Sequence, residues 1–143
     1  SEPLWNTGDA WVPVTVWHER PGARTAILTM GAPSYLAGLA AETATAQGTP
    51  TDVYVINGFP LDHTFVASLA RRYRRVVTLE DGLIGSVASG LRGMAGYVAT
   101  FLAGAGVELD HVGITDPQVA PSEHYVQVWE HYGMTVEELV ARL

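Results

Sequence analysis

Four short apolar segments alternate with longer stretches of helical character, and this alternation constrains the fold more than any other feature. The segments are residues 24–30 (RTAILTM), 52–57 (DVYVIN), 75–79 (RVVTL) and 107–114 (VELDHVGI). Compact apolar runs of this length are typical of strands buried on both faces in a parallel sheet. Parallel neighbours need long crossover connections, which helices usually provide. The sequence therefore predicts an α/β domain with helices on both faces of a mostly parallel sheet.

The beginning of the chain differs from this pattern. Valines alternate with other residues over residues 12–16, which predicts a short strand, and Pro13 places that strand at a sheet edge because proline cannot donate to a ladder. Residues 1–11 are expected to form an arm or an interdomain linker, so that one domain spans residues 12–143. Three large aromatic residues in this region are expected to pack on the domain or on a partner: Trp5, Trp11 and Trp17.

The charge composition excludes several kinds of site. All eight basic residues are arginines, and there is no lysine and no cysteine among the 143 residues. The chain therefore cannot form a lysine Schiff base, a Walker A loop, a disulfide or a thiolate metal site. The net charge of −7 opposes nucleic-acid binding, and the arginines of residues 71–75 are expected to complement a helix dipole. The absence of cysteine and of a long apolar run favours a cytoplasmic protein.

Residues 76–91 (VVTLEDGLIGSVASGL) pose the central question about function, because an apolar strand there ends in two acids and a glycine. A dinucleotide loop needs the pattern G-x-G-x-x-G, but Gly82 and Gly85 are three apart, and Glu80 and Asp81 lie where a phosphate would bind. Adjacent carboxylates on an extended chain point in opposite directions, so they cannot flank one substrate bond. We therefore expect Glu80 to accept backbone N–H groups of the following loop or to pair with an arginine.

Helices are predicted at five places along the chain. The longest is a Gly- and Ala-rich helix over residues 85–102, in which Gly90, Gly93 and Gly96 suggest close approach by another backbone. Asp62 is expected to cap the helix of residues 63–73, and Thr135 the last one. The remaining predictions are helices over residues 34–47, 122–132 and 135–143.

No catalytic constellation follows from these motifs. Residues 86–90 (SVASG) lack the first glycine of a nucleophile elbow. His124 and His131 are seven residues apart on a predicted helix, too far for joint metal ligation at the usual spacing of four. His63 lies at a helix start, where a solvated side chain is common. The two remaining histidines have no obvious partner in the sequence: His18 and His111.

Four segments, taken in order, resemble one known family. They are residues 16–31, which end in a glycine, residues 52–62, which close in FPLD, residues 75–91, and residues 111–143 with GITD and YGMT. Together they resemble the C-terminal domain of transketolase-type thiamine-diphosphate enzymes, a group that includes 1-deoxyxylulose-5-phosphate synthase and the beta subunits of 2-oxoacid dehydrogenases. Two features depart from the pattern: the loop after the acids is short, and Pro121-Ser122 replaces a serine-glycine. The closing helices resemble transketolase or the synthase more than a dehydrogenase.

The resemblance implies a three-layer α/β/α fold with a five-stranded, mostly parallel sheet and an antiparallel first strand at an edge. It also implies that thiamine diphosphate and a divalent metal bind between two other domains, so this domain would contain no catalytic, cofactor-binding or metal-binding residue. Its partners would be the diphosphate-binding and pyrimidine-binding domains, in a homodimer or hetero-oligomer. The structural or interface positions would be Asp62, Glu80, Asp81, Gly82, Gly85 and Asp116.

Two alternatives from other classes remain open. An independent α/β module would bind a small ligand at the carboxyl ends of its strands, where open sheets bind ligands. Its candidate residues are Gly31, Gly58, Asp62, Glu80 and Asp116. An isolated enzyme that uses Asp62 or Glu80 is the third hypothesis. Both a separate small subunit and a piece of a longer chain agree with the resemblance.

Overall fold

A computed structural model describes residues 12–116 and 125–143, with only the backbone described for Tyr125. The predicted arm of residues 1–11 lies outside the described residues, as do Pro121, Ser122 and His124. None of the helices in the described ranges combines the length and the apolar character needed to cross a membrane.

The described part of the chain contains one large sheet and one small hairpin. In chain order the strands are β1 (Val14–His18), β2 (Thr25–Thr29), β3 (Thr51–Ile56), β4 (Arg75–Leu83), β5 (Gly85–Ser86), β6 (Gly90–Leu91) and β7 (Glu108–Ile114). Five of them form the sheet in the order β1-β3-β2-β4-β7, while β5 and β6 form the hairpin. Only β1 pairs in antiparallel fashion within the sheet. The predicted mostly parallel sheet with an antiparallel edge strand is confirmed.

Helices cover both faces of this sheet. They are α1 (Ser34–Ala46), α2 (His63–Arg72), α3 (Gly93–Phe101), α4 (Tyr125–His131) and α5 (Val136–Arg142). One core joins the sheet to α2 and α3, and the other joins it to α1, α4 and α5. Successive residues of β4 serve the two cores in turn, because Val76 packs in the first while Val77 packs in the second. The central strands β2 and β3 are buried along their whole length, as expected for a sheet covered on both faces.

The predicted helix over residues 85–102 is wrong for residues 85–92. The hairpin occupies residues 85–91, α3 begins only at Gly93, and β4 continues past its predicted end to Leu83. Two glycines of the hairpin have backbone conformations that an α-helix lacks, because φ is +69° at Gly85 and +101° at Gly90. A close approach is also present, since a Cβ added at Gly96 would lie 2.6 Å from the carbonyl oxygen of Leu91. The backbone that approaches α3 so closely is the chain's own β6 strand.

A partly buried polar network closes the amino end of the sheet. It joins the side chains of Glu19, Asp52, Tyr54, Arg72 and Tyr73. Asp52 is only 1% exposed and accepts a hydrogen bond from the hydroxyl of Tyr73. The guanidinium of Arg72 donates to the hydroxyl of Tyr54, and its Nη2 lies 3.6 Å from Oδ2 of Asp52. Burial and then the bond to Asp52 raise the pKa of Tyr73, which keeps its hydroxyl protonated as a donor.

Candidate functional site

The carboxyl edge of the sheet holds the residues that the sequence marks as candidates. Gly31 follows β2, Gly58 follows β3, and Asp116 follows β7. Glu80, Asp81 and Gly82 belong to the last part of β4. Because carboxyl ends of parallel strands meet at one edge, this is the position at which open α/β sheets bind ligands.

Glu80 is buried and bonded to the start of α3. Its side chain is 4% exposed. The backbone N–H of Met94 donates to Oε1 at 3.1 Å, and that of Ala95 donates to Oε2 at 2.9 Å. Burial raises the pKa of Glu80, while the two backbone bonds act in the opposite direction. The first N–H groups of a helix have no partner within it, so Glu80 acts as a helix cap supplied from a strand.

Gly93 allows this contact. Its φ is +61°, and a Cβ added there would lie 2.3 Å from Oε1 of Glu80. The position therefore requires both the backbone freedom and the missing side chain of glycine. Glu80 and Gly93 together fix the start of α3 against the end of β4.

Asp81 points away from Glu80, as adjacent side chains on a strand do. It is exposed, and a Cβ added at Gly31 would lie 3.1 Å from its Oδ1, so the ends of β2 and β4 lie side by side. Gly82 is exposed as well. Gly85 lies inside the hairpin, where an added Cβ would be 2.5 Å from the carbonyl oxygen of Gly90.

Asp62 and Asp116 have separate local roles. Oδ1 of Asp62 accepts the N–H of Thr64 at 2.9 Å and thereby caps α2. The backbone oxygen of Asp116 accepts a hydrogen bond from the hydroxyl of Tyr132. Within the described residues, no hydrogen bond links Asp62 to Glu80 or Asp81. The structure thus brings Gly31 and Asp81 together but does not unite the carboxylates into one catalytic pair.

Two histidines of the described part, His111 and His63, make contacts within the domain. The sequence shows no obvious partner for His111, but in the structure its Nδ1 lies 2.7 Å from Oγ1 of Thr78 on the neighbouring strand. Burial lowers the pKa of His111, so the imidazole is neutral at pH 7. His63 packs edge-on against Phe101, with ring centroids 4.6 Å apart. Within residues 12–116 and 125–143, no group of three or more His, Asp or Glu side chains is placed to hold a metal ion.

The comparisons with known proteins agree with this geometry. The family described as "Transketolase, C-terminal domain" matches residues 15–139. A structure described as an inactive β4 tetramer of a split-gene transketolase superposes with a TM-score of 0.80 at 24% identity, over 99% of this chain and 45% of that one. Transketolase from Campylobacter jejuni superposes with a TM-score of 0.64 at 20% identity, over 98% of this chain and 19% of that one.

A third similar structure comes from a different enzyme. It is 2-oxoglutarate:ferredoxin oxidoreductase from Magnetococcus marinus, with a TM-score of 0.59 at 14% identity over 92% of this chain and 19% of that one. In each of these comparisons the chain spans less than half the length of the protein that it matches. The fold is therefore that of one domain within larger chains.

Proposed function

This chain belongs to the transketolase C-terminal domain family, and we propose that it is the C-terminal domain or small subunit of a transketolase-like, thiamine-diphosphate-dependent enzyme. In this proposal it serves subunit assembly in the cytoplasm and is not catalytic by itself. The observation that carries the proposal is the match of 99% of this chain to 45% of a chain of a split-gene transketolase. A domain that corresponds to part of an enzyme needs the remaining part for activity.

The residues at the end of β4 do not fit the diphosphate group of thiamine diphosphate. A diphosphate needs donors, yet Glu80 and Asp81 place carboxylates at the end of β4. At the start of α3, the N–H groups of Met94 and Ala95 already donate to Glu80 and so are not free for an anion. We therefore assign the cofactor and its metal to the partner domains or subunit, and we assign no catalytic step to this chain.

The alternative of an independent ligand-binding module is less well supported. Two of its three acidic candidates, Asp62 and Glu80, bind the chain's own backbone at the starts of α2 and α3. A ligand that used either carboxylate would have to replace a helix cap, which costs about 1 kcal/mol for an exposed cap.

Reconstitution tests the assembly proposal. The chain is mixed with the thiamine-diphosphate-binding subunit or domain encoded with it, and the mass of the product is measured by size-exclusion chromatography with light scattering. We expect a complex of defined stoichiometry that transfers a ketol unit between sugar phosphates. We expect no turnover from either component alone.

A matched control uses the Glu80→Ala variant, because the proposal gives Glu80 a structural role. At a temperature where this variant remains folded by circular dichroism, its complex should retain the turnover rate of the unsubstituted complex. Turnover by the chain alone, or a failure of the two components to associate, would contradict the proposal.

A further inference from the structure

Helix α1 and strand β1 enclose an aromatic groove with a carboxylate at its border. The groove has a volume of about 340 Å³ and is lined by Trp17, His18, Tyr35, Gly38, Leu39 and Glu42. Gly38 lies beside the indole, since a Cβ added there would be in van der Waals contact with Cη2 of Trp17 at 3.4 Å. The ring of His18 stacks on that of Trp17, with centroids 6.1 Å apart and planes 12° apart. The groove is therefore walled mainly by aromatic faces.

The walls of this groove are open to solvent. Tyr35 is 50% exposed and Leu39 is 48% exposed, although both are large side chains on the helix that covers one core. Aromatic faces beside a carboxylate attract a weakly hydrated cation, because the ring quadrupole and the negative charge act in the same direction. The chemistry of the groove thus favours a guanidinium or alkylammonium group.

No cation of the described chain satisfies Glu42. Among the described residues, ion pairs engage Arg72, Arg75 and Arg142, and none of these pairs includes Glu42. Arg20 directs its guanidinium to the backbone oxygen of Thr51. Burial and then Arg20 lower the pKa of His18, while Glu42 acts in the opposite direction; the net shift is downward, which favours a neutral ring at pH 7. Among the described residues, the carboxylate of the groove therefore has no ion-pair partner.

A second groove with the same chemistry adjoins the first. It has a volume of about 210 Å³, and its lining includes Tyr35, Trp129, Glu130 and Glu137. The rings of Tyr35 and Trp129 have centroids 6.2 Å apart, and Tyr35 lines both grooves. Two open grooves that share one exposed aromatic residue fit a polypeptide surface better than they fit a single small ligand.

We propose that this surface, the Tyr35 face (Trp17, Tyr35, Leu39, Glu42, Glu130 and Glu137), docks an arginine-bearing surface of the partner subunit. One arginine places its guanidinium between Trp17, Tyr35 and Glu42. Arginine fits better than lysine because its planar group stacks on aromatic rings and is more weakly hydrated. Its methylene stem packs on Leu39. The inference rests on the proposed function for the identity of the partner, but the groove chemistry stands independently of it.

The chemistry of the groove is tested on the chain alone with a small probe. Nα-acetyl-arginine methylamide is titrated at pH 7 and low salt while ¹H–¹⁵N spectra are recorded. We expect saturable shifts of the Trp17 indole N–H and the Gly38 amide, with a dissociation constant on the order of millimolar. The uncharged isostere Nα-acetyl-citrulline methylamide should cause no saturable shift.

Two matched substitutions separate the groove from general attraction to an acidic chain. Glu42→Gln should weaken probe binding by at least about threefold. Glu108→Gln removes the same charge on β7, at the opposite edge of the sheet, from a side chain that is 72% exposed, and it should leave binding unchanged. Equal effects of the two substitutions, or equal binding of the citrulline probe, would overturn the proposal.

The partner is tested with the same two variants in the reconstituted complex. Glu42→Gln should raise the dissociation constant of the complex, while Glu108→Gln should not. If the probe binds the groove but the complex is insensitive to Glu42→Gln, the occupant is a small cation and the docking proposal is wrong. If no complex forms with any variant, the proposed function fails, whereas the probe titration still decides whether the groove binds a guanidinium.

Discussion

Asp52 and Glu80 are buried carboxylates at opposite ends of the same sheet, and the chain stabilises them in different ways. Asp52, at the amino end, is held by side chains, namely the hydroxyl of Tyr73 and the nearby guanidinium of Arg72, and by the backbone N–H of Arg20 at 2.7 Å. Glu80, at the carboxyl end, is held by two backbone N–H groups of a single helix start.

The difference indicates which substitutions should destabilise each end of the sheet. The donors of Asp52 come from separate parts of the chain, so the loss of one leaves the others in place. The two donors of Glu80 are backbone N–H groups of one helix start, so a substitution of Glu80 itself removes both bonds at once. We therefore expect the loss of the Glu80 carboxylate to cost more than the loss of one donor to Asp52, although neither end is catalytic in our proposal.

The largest effect is expected for Glu80→Ala. This substitution leaves the buried N–H groups of Met94 and Ala95 without an acceptor, and it should lower the free energy of unfolding by about 4 kcal/mol. Urea denaturation of the isolated chain measures the change. Glu80→Gln keeps one acceptor oxygen and should lose about half as much. A loss below about 1 kcal/mol for Glu80→Ala would show that the cap contributes little.

The next largest effect is expected for Gly93→Ala. The left-handed conformation alone costs a non-glycine residue about 1–2 kcal/mol, and the new methyl group would also displace Glu80. Gly104→Ala is the control, because Gly104 has a φ of +75° but no atom within 4 Å of an added Cβ. Thermal unfolding should show a larger loss of stability for Gly93→Ala than for Gly104→Ala. Equal losses would mean that the contact with Glu80 adds no constraint.

A smaller effect is expected at the amino end for Tyr73→Phe. The substitution removes the hydroxyl that donates to Asp52, a bond to a charged group worth about 1.5–3 kcal/mol. We expect the lower end of this range, because Arg20 and Arg72 remain near Asp52. Urea denaturation in parallel with Glu80→Ala tests the comparison directly. A greater loss for Tyr73→Phe than for Glu80→Ala would reverse it.

The smallest expected effect is a dependence of the unfolding free energy on pH, caused by Glu80 at the carboxyl end of the sheet. The pKa of Glu80 is raised by burial, so the folded chain binds a proton more tightly than the unfolded chain does. The stabilisation from this proton is fully present below the unfolded pKa of about 4.3 and is lost as the pH rises through the folded pKa. The unfolding free energy of the unsubstituted chain minus that of Glu80→Gln should therefore fall between pH 4 and pH 7. A rise over this range would mean that the backbone bonds outweigh burial.

The sheet could be predicted from the sequence because its signals are local. Apolar runs mark the strands, and Pro13 marks the edge position of the first strand, which the structure has at Val14–His18. The antiparallel direction of that strand is implied by the family resemblance. The start of α3 could not be predicted in the same way. Residues 85–92 contain two glycines and two serines, which favour a turn over a helix, but the hairpin that they form is defined by pairing within it and by the approach of β6 to Gly96.

The polar contacts and the Tyr35 face depend on residues far apart in the chain. Asp52 and Tyr73 are 21 positions apart, and Thr78 and His111 are 33 apart, so no local pattern joins them. Some signals are nevertheless present in the sequence. An acid at the start of an apolar strand, such as Asp52, needs a buried partner. A glycine inside a helix, such as Gly38, costs about 1 kcal/mol and therefore suggests a packing role.

The central claim is that this chain contributes assembly and not chemistry. Calorimetric titration of the isolated chain with thiamine diphosphate and Mg²⁺ tests it most directly. We predict no heat beyond dilution, with saturable binding only after the partner subunit is added. Saturable binding of one cofactor per isolated chain, abolished by Asp81→Asn while the fold is retained, would contradict the account.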